Sequence, residues 1–211
     1  MKRPLSYFLI SLPLAFAGGF LLDEFFDSSQ ASTTRPLPAF HDLRVNPVHQ
    51  YIDLIDPDQP EILALARRFG TSYESAYRFV SQEIAFAPFA PPGPVEKTLE
   101  YRTGSCLGKA ALLASIYRAM GMPSEDVRLV MGMVVTPEGL AEHAWLDLEQ
   151  SGVCLQQDPS GMLGQFKFNE FPNNRYAEAY VMKENFCFND RDFAVVSQLN
   201  RHRSGIEPNP R

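Results

Sequence analysis

Residues 105–123 read Ser-Cys-Leu-Gly-Lys-Ala-Ala-Leu-Leu-Ala-Ser-Ile-Tyr-Arg-Ala-Met-Gly-Met-Pro. Ser105 stands where a helix N-cap belongs, and Leu113, Ile116, Tyr117 and Met120 recur at the spacing of a buried helix face. Gly121 and Pro123 supply the stop signals. This predicts a helix over Leu107–Met120, with Cys106 at its first turn. Unpaired N–H groups and the positive end of the helix dipole favour a thiolate there.

Strands follow this helix. Val127 to Val135 is rich in β-formers, His143 to Glu149 alternates, Ser151-Gly152 is a turn, and Val153 to Asp158 is a further short strand. Helices precede it as well. Ile62, Ala66 and Phe69 recur after Pro60 up to Gly70, and Tyr73, Ala76, Tyr77, Val80 and Ile84 share a second helical face after Thr71 or Ser72. Pro88 to Pro94 is a loop, and Val95 to Arg102 is a short helix broken by Thr103-Gly104. Helices first and strands second predict an α+β class, N-terminal helices packed on an antiparallel sheet.

In the alternating run, His143, Trp145 and Asp147 share one face, while Ala144, Leu146 and Leu148 share the other. The aliphatic face is assigned to the core. His143 and Trp145 are then left for a cleft. If the following hairpin turns on Gln150-Ser151, His143 lies directly opposite Asp158; if it turns on Ser151-Gly152, the two are diagonal on the same face. A three-residue loop would separate them onto opposite faces.

A thiol at a helix start, an imidazole and a carboxylate are what thiol catalysis needs. The imidazole accepts the thiol proton, the carboxylate holds its tautomer, and the thiolate attacks a carbonyl. The run Thr98 to Cys106, the helix end Arg118-Ala119-Met120-Gly121-Met122-Pro123, His143-Ala144-Trp145 and Asp158-Pro159-Ser160 together resemble the transglutaminase-like superfamily. The resemblance covers roughly residues 73–160. It implies a papain-like core with a catalytic Cys at a helix N-terminus, and it carries the triad onto Cys106, His143 and Asp158. It implies a cysteine hydrolase that cleaves an amide or peptide bond, or an acyltransferase that passes the acyl group to an amine. The alternative is a non-catalytic envelope module that keeps the fold for binding. The Cys106 N–H is a natural oxyanion donor, and Tyr101 and Gln82 are candidates for the second; with Trp145 they are the substrate-cleft candidates.

The rest of the chain sets the context. Met1-Lys2-Arg3 precedes Leu5 to Leu22, which carries no charge. Residues 1–27 read as a signal peptide cleaved before Gly18 or as an uncleaved anchor associating with the inner membrane through residues 5–22. Either places the remainder outside the cytoplasm, periplasmic or secreted. Residues 28–59 read as a linker or extension, 60–199 as the domain and 200–211 as a flexible tail. With 19 Lys+Arg against 25 Asp+Glu and a net charge of −6, nucleic acid is excluded as a partner; the resemblance implies a protein or peptide substrate. Cys154 and Cys187 are either two unpaired thiols or a disulfide. Neither a metal site nor a cofactor is expected, because paired ligand spacings are missing.

Overall fold

The computed structural model describes residues 47–199. The expected signal peptide or anchor, the first part of the expected linker and the expected tail lie outside the described residues. Six helices are present in these: α1 (Pro47–Ile52), α2 (Pro60–Phe69), α3 (Tyr73–Arg78), α4 (Val95–Tyr101), α5 (Cys106–Ala119) and α6 (Arg175–Tyr180). Eight strands accompany them: β1 (Ala85–Phe86), β2 (Thr103–Gly104), β3 (Val127–Thr136), β4 (Gly139–Gln150), β5 (Val153–Gln157), β6 (Phe171–Pro172), β7 (Val181–Phe188) and β8 (Phe193–Leu199). The fold is mixed α+β, with an antiparallel six-stranded sheet in the order β6-β5-β4-β3-β7-β8. Among the described residues no helix is long and apolar enough to cross a membrane.

The helix starts follow their local chemistry. Pro60 opens α2 with Glu61 in its first turn, and Gly70 ends it at φ 61°. Ser72 caps α3, its hydroxyl accepting the Ser75 N–H at 3.2 Å, and the chain then widens into one π-helical stretch over Phe79–Glu83. Ser105 caps α5, accepting the Gly108 N–H at 3.4 Å.

α5 is buried all round, whereas periodicity alone predicts one buried face. Leu107 through Tyr117 are inaccessible without a break. Its core contains Ile62, Tyr77 and Phe79 from the helices together with Leu129, Ala144, Leu146 and Leu148 from the sheet. A helix enclosed by two layers has no polar face to show.

The hairpin between β4 and β5 turns on Ser151-Gly152, at φ 54° and 78°. Two consecutive residues at positive φ are what a two-residue turn of matching twist requires, and Gly152 supplies one at no steric cost. Leu146 therefore pairs with Gln157 and Leu148 with Leu155.

Two expectations need correction. Part of the proposed linker is structured: α1 lies within it, Ile55 is buried, and the Tyr51 ring stands 4.8 Å from Phe186 and 5.4 Å from Phe188. Apolar residues spaced among prolines gave no periodic signal there, and the packing partners come from β7, more than a hundred residues away. The second sheet face is also closed. Val130, Val134, Trp145 and Val181 form a second core with Tyr176 and Ala177 of α6.

A polar clamp secures the far end of α5. Arg118 donates through Nε and Nη2 to the two oxygens of Asp190 at 2.8 and 3.0 Å, and also to the Met122 carbonyl. The Ser124 hydroxyl donates to Asp190 as well. This ties the Arg118–Pro123 helix end to the turn between β7 and β8.

Candidate active site

Cys106 is the first residue of α5, so no carbonyl one turn earlier is available to its N–H. The two-stranded parallel ribbon of β1 and β2 leads directly into it, with Phe86 beside Gly104. Cys106 as a residue is partly buried. His143 and Asp158 are delivered by the sheet. In the observed register Asp158 lies just past the end of β5, diagonal to His143 and on its face, as the Ser151-Gly152 alternative requires.

The imidazole and the carboxylate meet inside the protein. His143 Nε2 lies 2.8 Å from Asp158 Oδ2, and neither side chain is exposed. Nε2–H donates to the carboxylate, which leaves Nδ1 as the acceptor in the neutral ring. Nδ1 is buried with no well-formed hydrogen bond, and the Cys106 side chain adds to the ring's proton affinity. Burial opposes charge on the ring, but the bond to Asp158 and the nearby Cys106 side chain outweigh it and raise the His143 pKa to about 9. Burial likewise pushes the Asp158 carboxyl up, and the bonds from His143 and Ser160 more than reverse this, holding it below its ordinary range. The arrangement can accept a proton from the thiol and keep the resulting imidazolium beside a fixed anion.

Every oxygen of Asp158 is occupied. Oδ1 accepts the Ser160 N–H at 2.8 Å, Oδ2 accepts the Tyr176 hydroxyl at 3.1 Å, and the backbone carbonyl accepts the Tyr77 hydroxyl at 3.2 Å. One turn below Cys106, the buried Lys109 ammonium donates to the carbonyls of Ile84 at 2.7 Å, Ser160 at 3.2 Å and Ser81 at 3.4 Å. Burial lowers its pKa to about 8 against the pull of the Asp158 charge. Lys109 thereby links the helix that starts at Cys106 to the segment that follows Asp158.

The cleft candidates fare differently from Cys106, His143 and Asp158, which the fold brings together. Trp145 does not line a cleft: it is fully buried, packed 5.7 Å from the Tyr176 ring, with its indole N–H donating to Asp147 at 3.2 Å. The alternation correctly groups it with His143, but α6 covers that face. Tyr101 stands 63% exposed at the end of α4, with the Lys97 ammonium 5.7 Å over its ring. Gln82 lines a separate surface concavity of about 350 Å³ with Arg68, Ser75, Arg78 and Glu83. Among the described residues neither side chain hydrogen-bonds within the site.

Sequence reasoning missed Lys109 and Tyr176. A lysine inside an otherwise apolar helix is a usable signal for the first; nothing local marks the second. Cys154 and Cys187 are free thiols. Their strands, β5 and β7, are separated by β4 and β3, about 14 Å at ordinary strand spacing, too far for a disulfide. Burial raises the Cys154 pKa to about 11 and that of Cys187 as well. Among the described residues no group of three or more His, Cys, Asp or Glu is arranged for a metal ion.

Residues 64–158 match the family model of the transglutaminase-like superfamily. The match ends at Asp158 and spans α5 and its hairpin, the stretch that carries the motifs around Cys106, His143 and Asp158. No curated protein matches the chain in sequence. Among solved structures it is similar to Legionella pneumophila LapG in its calcium-bound form, at 15% identity and a TM-score of 0.46, over 74% of this chain and 80% of that one. The EGTA-treated LapG gives 14% identity and a TM-score of 0.45, over 69% and 88% of the two chains. A candidate cysteine protease of Cytophaga hutchinsonii gives 13% and 0.47, over 78% and 58%.

Proposed function

We propose that the protein is a cysteine hydrolase that cleaves an amide or peptide bond through a thioester on Cys106. The observation that carries this reading is the buried His143–Asp158 pair, 2.8 Å apart, whose second imidazole nitrogen is left for the thiol at the start of α5. A residue set kept only for packing would have no reason to bury an imidazole against a carboxylate with one ring nitrogen unpartnered. The transglutaminase-like core over residues 64–158 supports the same chemistry.

In the proposed reaction the Cys106 thiol gives its proton to His143 Nδ1, and the thiolate attacks the substrate carbonyl carbon. The oxyanion takes the Cys106 N–H as one donor. When the tetrahedral intermediate collapses, the C–N bond breaks and His143 returns its proton to the leaving amine. Water, deprotonated by His143, then adds to the thioester; the C–S bond breaks and a carboxylic acid and the free thiol are left. An amine in place of water would give acyl transfer through the same thioester. Asp158 stays ionised throughout and holds the ring. The proposed setting, outside the cytoplasm, rests on the sequence reading of residues 1–27, and the proposed protein or peptide substrate rests on the transglutaminase-like resemblance.

The test is iodoacetamide labelling of Cys106 at pH 6.5, followed by mass spectrometry, in the wild type, His143→Ala and Asp158→Asn. The wild type is expected to label at least about tenfold faster than His143→Ala, with Asp158→Asn in between. Equal rates in all three would overturn the reading and favour a module that binds without catalysing.

A further inference from the structure

Asp158 has a neighbour that the mechanism above does not use. The Tyr176 hydroxyl donates to Oδ2 at 3.1 Å, the same oxygen that accepts His143 Nε2–H at 2.8 Å. Tyr176 belongs to α6, beyond the residues that match the family model. It is completely buried, its ring 5.7 Å from Trp145, 5.4 Å from Phe171 and 5.3 Å from Tyr180. Burial first, and then the Asp158 charge, push its phenol well above the ordinary range, so it remains a donor wherever the protein is folded. A hydroxyl held this tightly has one use for its proton.

We propose that Tyr176 is a positioning residue that sets the proton affinity of His143 by sharing Oδ2 of Asp158 with it. The proposal rests on the reading of Cys106, His143 and Asp158 given above. A carboxylate oxygen that accepts two hydrogen bonds offers each donor less negative charge than one that accepts a single bond. An imidazolium gripped by an undivided carboxylate would hold its proton too firmly when the leaving amine needs it. The Tyr176 hydroxyl relaxes that grip and also fixes the carboxylate so that Oδ2 stays aimed at Nε2.

Among the described residues, the other titratable groups around this pair are the Cys106 thiol and the Lys109 ammonium from α5, Tyr77 from α3, and, beside the Tyr176 ring, Tyr180 from α6. Lys109 spends its donors on backbone carbonyls, and Tyr77 bonds the carbonyls of Asp158 and Phe166. Among the described residues Tyr176 is the only donor that shares Oδ2 with His143.

The experiment is an NMR titration of the His143 ring in the full chain, comparing the wild type with Tyr176→Phe, Phe171→Leu and Asp158→Asn. Tyr176→Phe keeps the ring and its packing; it is expected to raise the His143 midpoint by about half a pH unit or more. Phe171→Leu loosens the contact with the Tyr176 ring but leaves Asp158 untouched, and it is expected to leave the midpoint in place. An unchanged midpoint in Tyr176→Phe, or an equal rise in Phe171→Leu, overturns the proposal. If Asp158→Asn leaves His143 titrating as in the wild type, the reading of the site fails, and this proposal fails with it. Should Tyr176→Phe not fold, 3-fluorotyrosine at position 176, a stronger donor of nearly the same shape, is expected to lower the midpoint. No movement there is the overturning result.

Discussion

His143 Nε2 and Asp158 Oδ2 stand 2.8 Å apart with both side chains closed to solvent, so each group's protonation depends on the other. The raised His143 pKa and the lowered Asp158 pKa describe one pair, and its contribution to stability is counted once.

That pair predicts a pH window. The folded His143 titrates at about 9 against 6.5 in an ordinary setting, so its stabilisation is complete below about pH 6.5 and lost as pH rises toward 9. The Asp158 carboxyl is held low, so its share is present above about pH 3.9 and disappears as pH falls through its folded value. Urea midpoints of the wild type and His143→Gln should therefore differ most between about pH 4.5 and 6.5 and converge toward pH 9. The difference should shrink by at most about 3 kcal/mol over that rise. A constant difference from pH 6 to 9.5 would contradict the raised affinity.

Lys109→Met tests the link beneath Cys106. The substitution keeps most of the volume but leaves the carbonyls of Ser81, Ile84 and Ser160 without this donor. The expected loss is about 1–3 kcal/mol at pH 7, seen as a lower melting temperature. Because burial brings the folded lysine to about 8, the unfolded chain holds this proton up to about pH 10.4. Wild-type stability should consequently rise relative to Lys109→Met as pH goes from 8 to 10. A falling difference would refute the assignment.

Gly132 pairs with His143 across β3 and β4. A Cβ there would come within 2.3 Å of the Lys183 carbonyl oxygen and 2.8 Å of the Trp145 ring. The backbone carbonyl cannot swing aside as a side chain would, so Gly132→Ala should destabilise by about 1–3 kcal/mol. Thermal unfolding checks this; an unchanged melting temperature would mean that β7 yields at no cost.

Arg118 and Asp190 form the two-pronged bond that secures the end of α5, each about one-tenth exposed. Burial raises the Asp190 carboxyl and the Arg118 and Ser124 bonds more than reverse this, so it sits low. Arg118→Lys keeps the charge but loses the fork, and it should cost nearly as much as Arg118→Met. Denaturant titration of both variants measures this, and full stability in Arg118→Lys would show that charge alone suffices.

Much of the site was legible because its signals are local. The Ser105 cap and the apolar residues recurring at helical spacing after it place Cys106 at a helix start. Period-two alternation and a two-residue turn put His143 and Asp158 on one face, since neighbouring side chains of a strand must point to opposite sides. The choice between two turn registers was not legible. It falls on Ser151-Gly152, where Gly152 takes φ 78°, a backbone conformation that a sequence permits but does not announce.

What the tertiary structure decided is which faces are covered. Trp145 shares the face of His143, yet it is buried because α6, far along the chain, closes over it. The same closure brings the Tyr176 hydroxyl to Asp158, and α5 is enclosed on both sides by elements that no single periodicity reveals. By itself the sequence determined a helix-borne thiol and a strand-borne imidazole within reach of a carboxylate, because those placements follow from backbone geometry over a few residues. Burial, the shared oxygen of Asp158 and the carbonyl set around Lys109 depend on contacts between distant segments; only packing, not pattern, specifies those.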